Sequence, residues 1–155
     1  MKRRLFLLSA LVGFAIGPVL RSEEAPKAPP AAEDKEPETE LGKKMAKMNA
    51  AWRKVRRQVA DAAKNESTLE QLAIVQANAT EALKEEPERK ADVPAADQAK
   101  FVADYQSKMK EFIADLDTLA AALKAGNNAE AAKIIEAIGK TQKADHKEFR
   151  RPPKK

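Results

Sequence analysis

One stretch constrains the fold more than any other. Between Leu41 and Ala63 the apolar residues Leu41, Met45, Met48, Trp52, Val55, Val59 and Ala63 recur at spacings of four and three. That rhythm gathers them on one side of an α-helix, whereas a strand would send successive residues to opposite faces. A helix with such a stripe must bury it against something, and the rest of the chain supplies three more helices of the same kind.

Helix 1 is expected to follow Thr39, a suitable N-cap, and to run to about Lys64. Asn65-Glu66-Ser67 reads as the first turn, and Ser67 with Glu70 forms a capping box that starts helix 2. Helix 2 carries a weaker stripe of Leu69, Leu72, Val75, Ala79 and Leu83 to about Glu86. Pro87 and Pro94 then bracket a polar connection that cannot continue the helix. Helix 3 is expected from about Ala95 to Lys124, burying Val102, Tyr105, Met109, Phe112, Leu116, Leu119 and Leu123. Gly126 supplies a C-cap and the asparagine after it an N-cap for helix 4, which ends near Arg150 before Pro152-Pro153. Few glycines and abundant Ala, Lys, Glu and Leu agree with an all-α chain. Four amphipathic helices on short turns predict an antiparallel up-down-up-down four-helix bundle.

The ends of the chain have other tasks. Cationic Lys2-Arg3-Arg4 followed by the apolar run from Leu5 to Leu20 has the layout of a secretory signal. An uncleaved anchor is the competing reading, but the run falls short of the ~20 apolar residues of a spanning helix and contains Pro18. The expected organisation is a signal peptide over 1–22, a disordered Pro/Ala/Glu-rich spacer over 23–40, a bundle over 41–151 and a tail over 152–155. This makes the protein periplasmic and a monomer, with no stable membrane association unless the signal remains uncleaved. With no cysteine, the chain can have no disulfide, no lipoprotein anchor and no covalent Cys-x-x-Cys-His haem site.

The net charge of +5 and the pairs Arg53-Lys54 and Arg56-Arg57 raise the question of nucleic acid. Export argues against it, as does the lack of aromatic residues among the basic ones. A solvated helix face or a docking patch for an acidic partner remain as readings.

His146 is the sole histidine. On helix 4 the residues Ala131, Ile135, Ile138 and Phe149 form the inward stripe, and His146 stands about 60° from its centre. It is therefore either a surface residue on the last helix or a ligand turned toward the interior. In an up-down-up-down bundle the start of helix 1 and the end of helix 4 share one end. Met45 and His146 then lie at levels that agree to within roughly 5 Å. Met45 and Met48 are either ordinary core methionines or soft donors facing that imidazole.

Two pieces of the sequence resemble the cytochrome b562 family, exported four-helix bundles that hold a non-covalent haem. The first is Leu41-Gly42-Lys43-Lys44-Met45-Ala46-Lys47-Met48-Asn49. The second comprises Ala122-Leu123-Lys124, Gly126, Glu130-Ala131 and His146 with Arg150. The resemblance implies that Met45 and His146 are the axial ligands of a b-type haem (iron protoporphyrin IX) and that Arg150 lies near it. It also implies that Phe112 matches a packing aromatic of helix 3; Met48, one turn deeper than Met45 and standing where the family has a leucine, and Met109 on helix 3 are expected to wall the cofactor beside it. Gln142 stands where the known cytochrome has an arginine. Iron in a porphyrin has two axial positions, and a thioether opposite an imidazole fills both, which suits electron transfer to and from redox partner proteins. Two other readings stay open: a haem-free interaction module, and a copper(I) carrier using Met45, Met48 and His146. An enzyme is least supported, since there is no cysteine, no second histidine and no evident inward carboxylate pair.

Overall fold

The computed structural model describes residues 39–151. The expected signal peptide, the spacer up to residue 38 and the tail from residue 152 lie outside the described residues. Four helices make up the bundle: α1 (Glu40–Gln58), α2 (Asn65–Ala82), α3 (Gln98–Lys124) and α4 (Asn128–Phe149).

α1 starts as expected, with the Thr39 hydroxyl accepting from the Gly42 N–H at 3.1 Å. The same hydroxyl donates to Glu88 at 2.6 Å, tying the start of α1 to the α2–α3 connection. α1 ends at Gln58, however, well short of Lys64. Asp61 is the cause: its carboxylate accepts from the Ala63 N–H at 3.1 Å and starts a separate 3₁₀ turn, a local side-chain bond that competes with helix continuation. Ala63 is consequently exposed instead of completing the stripe.

That turn also displaces the expected capping box. α2 already begins at Asn65, whose N–H bonds the Ala62 carbonyl of the 3₁₀ turn, so the first donor of α2 has its partner before Ser67. Ser67 lies inside the helix and its hydroxyl instead reaches Gln58 at 3.4 Å. α2 stops at Ala82, earlier than Glu86, because the chain tightens through Lys84 N–H to Glu81 and Glu85 N–H to Ala82. Ala95–Asp97 likewise form a 3₁₀ turn after Pro94, and α3 proper begins at Gln98. Between α3 and α4, Gly126 takes a φ of 70° and Asn127 caps α4 by accepting from the Glu130 N–H at 3.2 Å.

Successive helices meet end to start. Lys44 near the start of α1 pairs with Glu85 just after α2 at 2.7 Å, and Tyr105 in α3 donates to the Ala82 carbonyl at 2.9 Å. Burial and, secondarily, the nearby Glu85 carboxylate push the Tyr105 phenol up to about 12, so it stays protonated as a donor. The core is mostly apolar, with Val55, Leu72, Val75, Ala79, Leu116 and Leu119 fully buried; the hydroxyl of buried Thr68 donates to the Lys64 carbonyl at 2.7 Å. Among the described residues, no buried side-chain nitrogen or oxygen lacks a hydrogen-bond partner. α1 packs closely on α2, α2 on α3 and α3 on α4, but no comparable seam joins α1 to α4.

One polar clasp closes the end away from the start of α1. Asn128 donates to the Val59 carbonyl at 2.6 Å and to the Asn65 side chain at 2.7 Å, while Asn65 donates to the Leu123 carbonyl at 3.1 Å. Two side chains thus bind the ends of α1 and α3 to the starts of α2 and α4. Asn128→Ala should lower stability by about 2 kcal/mol, since it leaves the Val59 carbonyl unpaired in a partly buried position. Denaturant unfolding measures this, and a loss below about 0.5 kcal/mol would mean that water replaces the amide at no cost.

Candidate functional site

The residues singled out from the sequence fall into two groups. Met48 and Met109 are buried members of the core, and Met45 and Phe112 are partly buried and packed against it. Phe112 meets Trp52 edge-on at 6.4 Å between ring centroids. Those four share one apolar cluster. His146 and Arg150 do not join it: both are exposed at the end of α4, where the Arg150 N–H bonds the His146 carbonyl at 3.1 Å.

The packing of α4 on α3 explains the exposure of His146. Phe149 sits against Phe101 and Tyr105, at centroid distances of 5.2 and 5.7 Å, and this fixes the rotation of the last turns of α4. Asp145, on one side of the stripe, is then turned toward Lys108 and Glu111 of α3. Desolvation is the main reason its carboxyl lies above the usual range. His146, on the other side, is turned toward α1. Its imidazole is nevertheless desolvated enough to lie below the usual histidine range, with Arg150 adding to the shift and Asp145 opposing it. The ring is therefore neutral at neutral pH, with a nitrogen lone pair free to bind.

The open side between α1 and α4 holds a groove of about 550 Å³, lined by Arg56 of α1, by Val59 just after it, and by Ile135, Gly139, Gln142 and Lys143 among the residues of α4. Helical geometry relates the candidate ligands to it. Measured from Ala131, the lining residues of α4 span about 20° to 180° and His146 stands at about 60°; measured from Met48, Val59 and Arg56 stand at about 20° and 80° and Met45 at about 60°. Both candidate ligands therefore lie on the helix sectors that line the groove. The Asn128–Val59 bond fixes the relative height of α1 and α4. Counting from it at 1.5 Å per residue puts Met45 about 21 Å and His146 about 27 Å along the bundle, beyond the groove and toward the same end.

A sequence model of the cytochrome b562 family matches residues 40–150. The chain belongs to the cytochrome b562 family. No curated protein and no solved structure is similar enough to count as a match. The match covers the whole bundle from the first residue of α1 to the residue after α4. Cytochromes b562 are haem-binding electron-transfer proteins, and the donors available here suit that group: a thioether packed against the apolar cluster and an imidazole toward the same end of the bundle. Among the described residues no three His, Asp or Glu side chains gather where they could hold a metal ion.

Two contributors were not foreseen in the sequence. Arg89, in the α2–α3 connection, donates to the carbonyls of Lys147 and Glu148 at 2.6 Å each and so holds the His146 end of α4. No periodicity marks it, because it caps a helix distant in the chain. Arg56 on the groove is the second; the sequence shows it as basic but not which helix it faces.

Proposed function

We propose that this member of the cytochrome b562 family is an exported electron carrier that holds one non-covalent b-type haem on the α1/α4 side, with Met45 and His146 as axial ligands. The observation that supports it most is that both side chains lie on the sectors of α1 and α4 lining the open groove. The haem, when bound, supplies a reversible one-electron change at its iron.

The chain's own residues do the rest. The soft sulfur of Met45 would hold the iron and favour its ferrous state, and the imidazole of His146 would offer its lone pair without first losing a proton. Met48, Met109 and Phe112 keep water from the inner side of the site. Arg150 contributes a positive charge near His146, where it can offset anionic propionates. Were Met45 and His146 both to hold the haem, it would supply electron transfer and not substrate binding at its iron, which fits a carrier.

The visible spectrum of protein exported from haem-sufficient cells tests the reading. A low-spin b-type spectrum is expected; a colourless protein would favour an interaction module, and tight copper(I) uptake without haem would favour a copper carrier.

The two methionines of α1 should behave differently. Met45→Ala should lose the low-spin spectrum, while Met48→Leu should keep it with a stability change below ~1.5 kcal/mol, as volume-conserving core swaps do. The reverse result would exchange their roles.

A further inference from the structure

Charge on this bundle is unevenly placed. From Leu41 to Gln58, α1 carries seven cationic side chains and no acidic one. Arg56 lines the groove from α1 and Arg53, about 60° further round that helix, flanks it, while Arg57 stands opposite the core; Lys140 and Lys143 line it from α4. Cations of both helices therefore share one rim. Glu136 is the one acidic residue lining it, and it pairs with Lys140 at 3.0 Å.

Several lysines elsewhere are matched within a turn of their own helix. Lys84 pairs with Glu81, Lys100 with Asp104 and Lys108 with Glu111. Beside the groove, by contrast, Arg53 and Arg56 are like charges three residues apart on one side of α1. Such spacing destabilises a helix by a few tenths of a kcal/mol per pair. Among the described residues Arg53, Arg56 and Lys143 make no salt bridge.

We propose that the α1/α4 face is the docking surface for an acidic patch on a partner protein; the partner's task as electron donor or acceptor rests on the haem reading above. Clustered cations beside the groove steer an anionic surface to the side from which electrons would be exchanged, raising the encounter rate at low salt. Two other anionic surfaces fit less well. A lipid surface would require apolar side chains among the cations, yet the one large hydrophobic that is exposed among the described residues is Ile74 on α2. Single-stranded nucleic acid would require exposed aromatic rings, and Trp52 and Phe149 are buried.

The test uses a fluorescein-labelled oligoglutamate peptide as probe, with apo and haem-loaded protein, in fluorescence polarisation at low ionic strength. Arg53→Glu with Lys143→Glu should weaken binding about tenfold and flatten its salt dependence. Lys110→Glu with Lys124→Glu on α3 makes the same change in net charge away from the rim and should weaken it less than about twofold. Circular dichroism checks that both double variants keep their helices. Equal weakening by the two pairs would mean that only net charge matters and would overturn the proposal. So would tighter capture of the protein by phosphatidylglycerol vesicles than by the peptide, which would make the surface a membrane contact. The apo arm needs no haem, so a protein that binds the peptide at the rim but takes up no haem leaves the surface standing and removes only the redox role. In haem-loaded protein, oxidation by hexacyanoferrate(III) should slow in the rim variant and not in the α3 variant.

Discussion

His146→Ala is expected to abolish low-spin haem binding altogether. The chain has no other imidazole and no cysteine, so no residue of similar donor strength can take its place. The side chain is exposed, and its removal should leave the helical content unchanged. The test is therefore one of ligation and not of folding. An unaltered reduced spectrum in the variant would put the ligand elsewhere.

The same residue predicts a pH dependence. Desolvation first, and Arg150 second, hold the His146 ring below its ordinary 6.5. In the window between that value and the lowered one, the unfolded chain binds a proton that the folded chain does not, so stability falls as pH falls through it. Ligation needs the neutral ring, and haem should accordingly be retained through pH 6.5 and released only in more acidic solution. Arg150→Gln removes one repulsion and should move release toward higher pH, which a spectrophotometric titration would register. Release at an unchanged pH would mean that Arg150 has no electrostatic hold on the ring.

The second large effect is on stability. The proposed ligands come from the first and last helices, on the side where the bundle has no close seam, so haem would join what the polypeptide leaves open. A ligand that binds only the native state stabilises it by about 4 kcal/mol at a thousandfold excess over its dissociation constant. Haem-loaded protein should therefore melt well above apo-protein. Hydrogen exchange should show where: amides around Met45 and His146 gain protection on loading, whereas those near Asn65 and Asn128 are already held by the clasp. Identical melting and identical exchange would show that the bundle has no need of a cofactor.

The helical stripes were legible because they depend only on spacing. Leu72, Val75, Ala79, Tyr105, Met109, Leu116, Leu119 and Leu123 are buried as their periodicity requires. Helix ends were less legible, because they turn on individual side chains. Asp61 shortens α1 with one hydrogen bond, and the turn it starts makes the Ser67–Glu70 box unnecessary. The chemistry of the site was readable as residue types and the setting of His146 was not. Spacing put His146 and Asp145 on opposite sides of one stripe, but the docking of Phe149 on α3 decides which of them faces α1. The charged rim needed still more: a run of cations in one helix says nothing about what stands beside it until the neighbouring helix is known.

The missing α1/α4 seam also bears on how the chain reaches its folded state. Each close helix pair joins neighbours in sequence, so bundle formation needs few distant segments to find one another, and topologies of this kind fold in microseconds to milliseconds. The one long-range closure, between the first helix and the last, is the one the polypeptide does not complete. Assembly should then separate in time into rapid formation of the helices, at a rate independent of haem, and a later bimolecular capture that scales with haem concentration. Stopped-flow refolding with far-ultraviolet and Soret detection in parallel would resolve the two phases, and a helix signal whose rate rose with added haem would show that closure comes first.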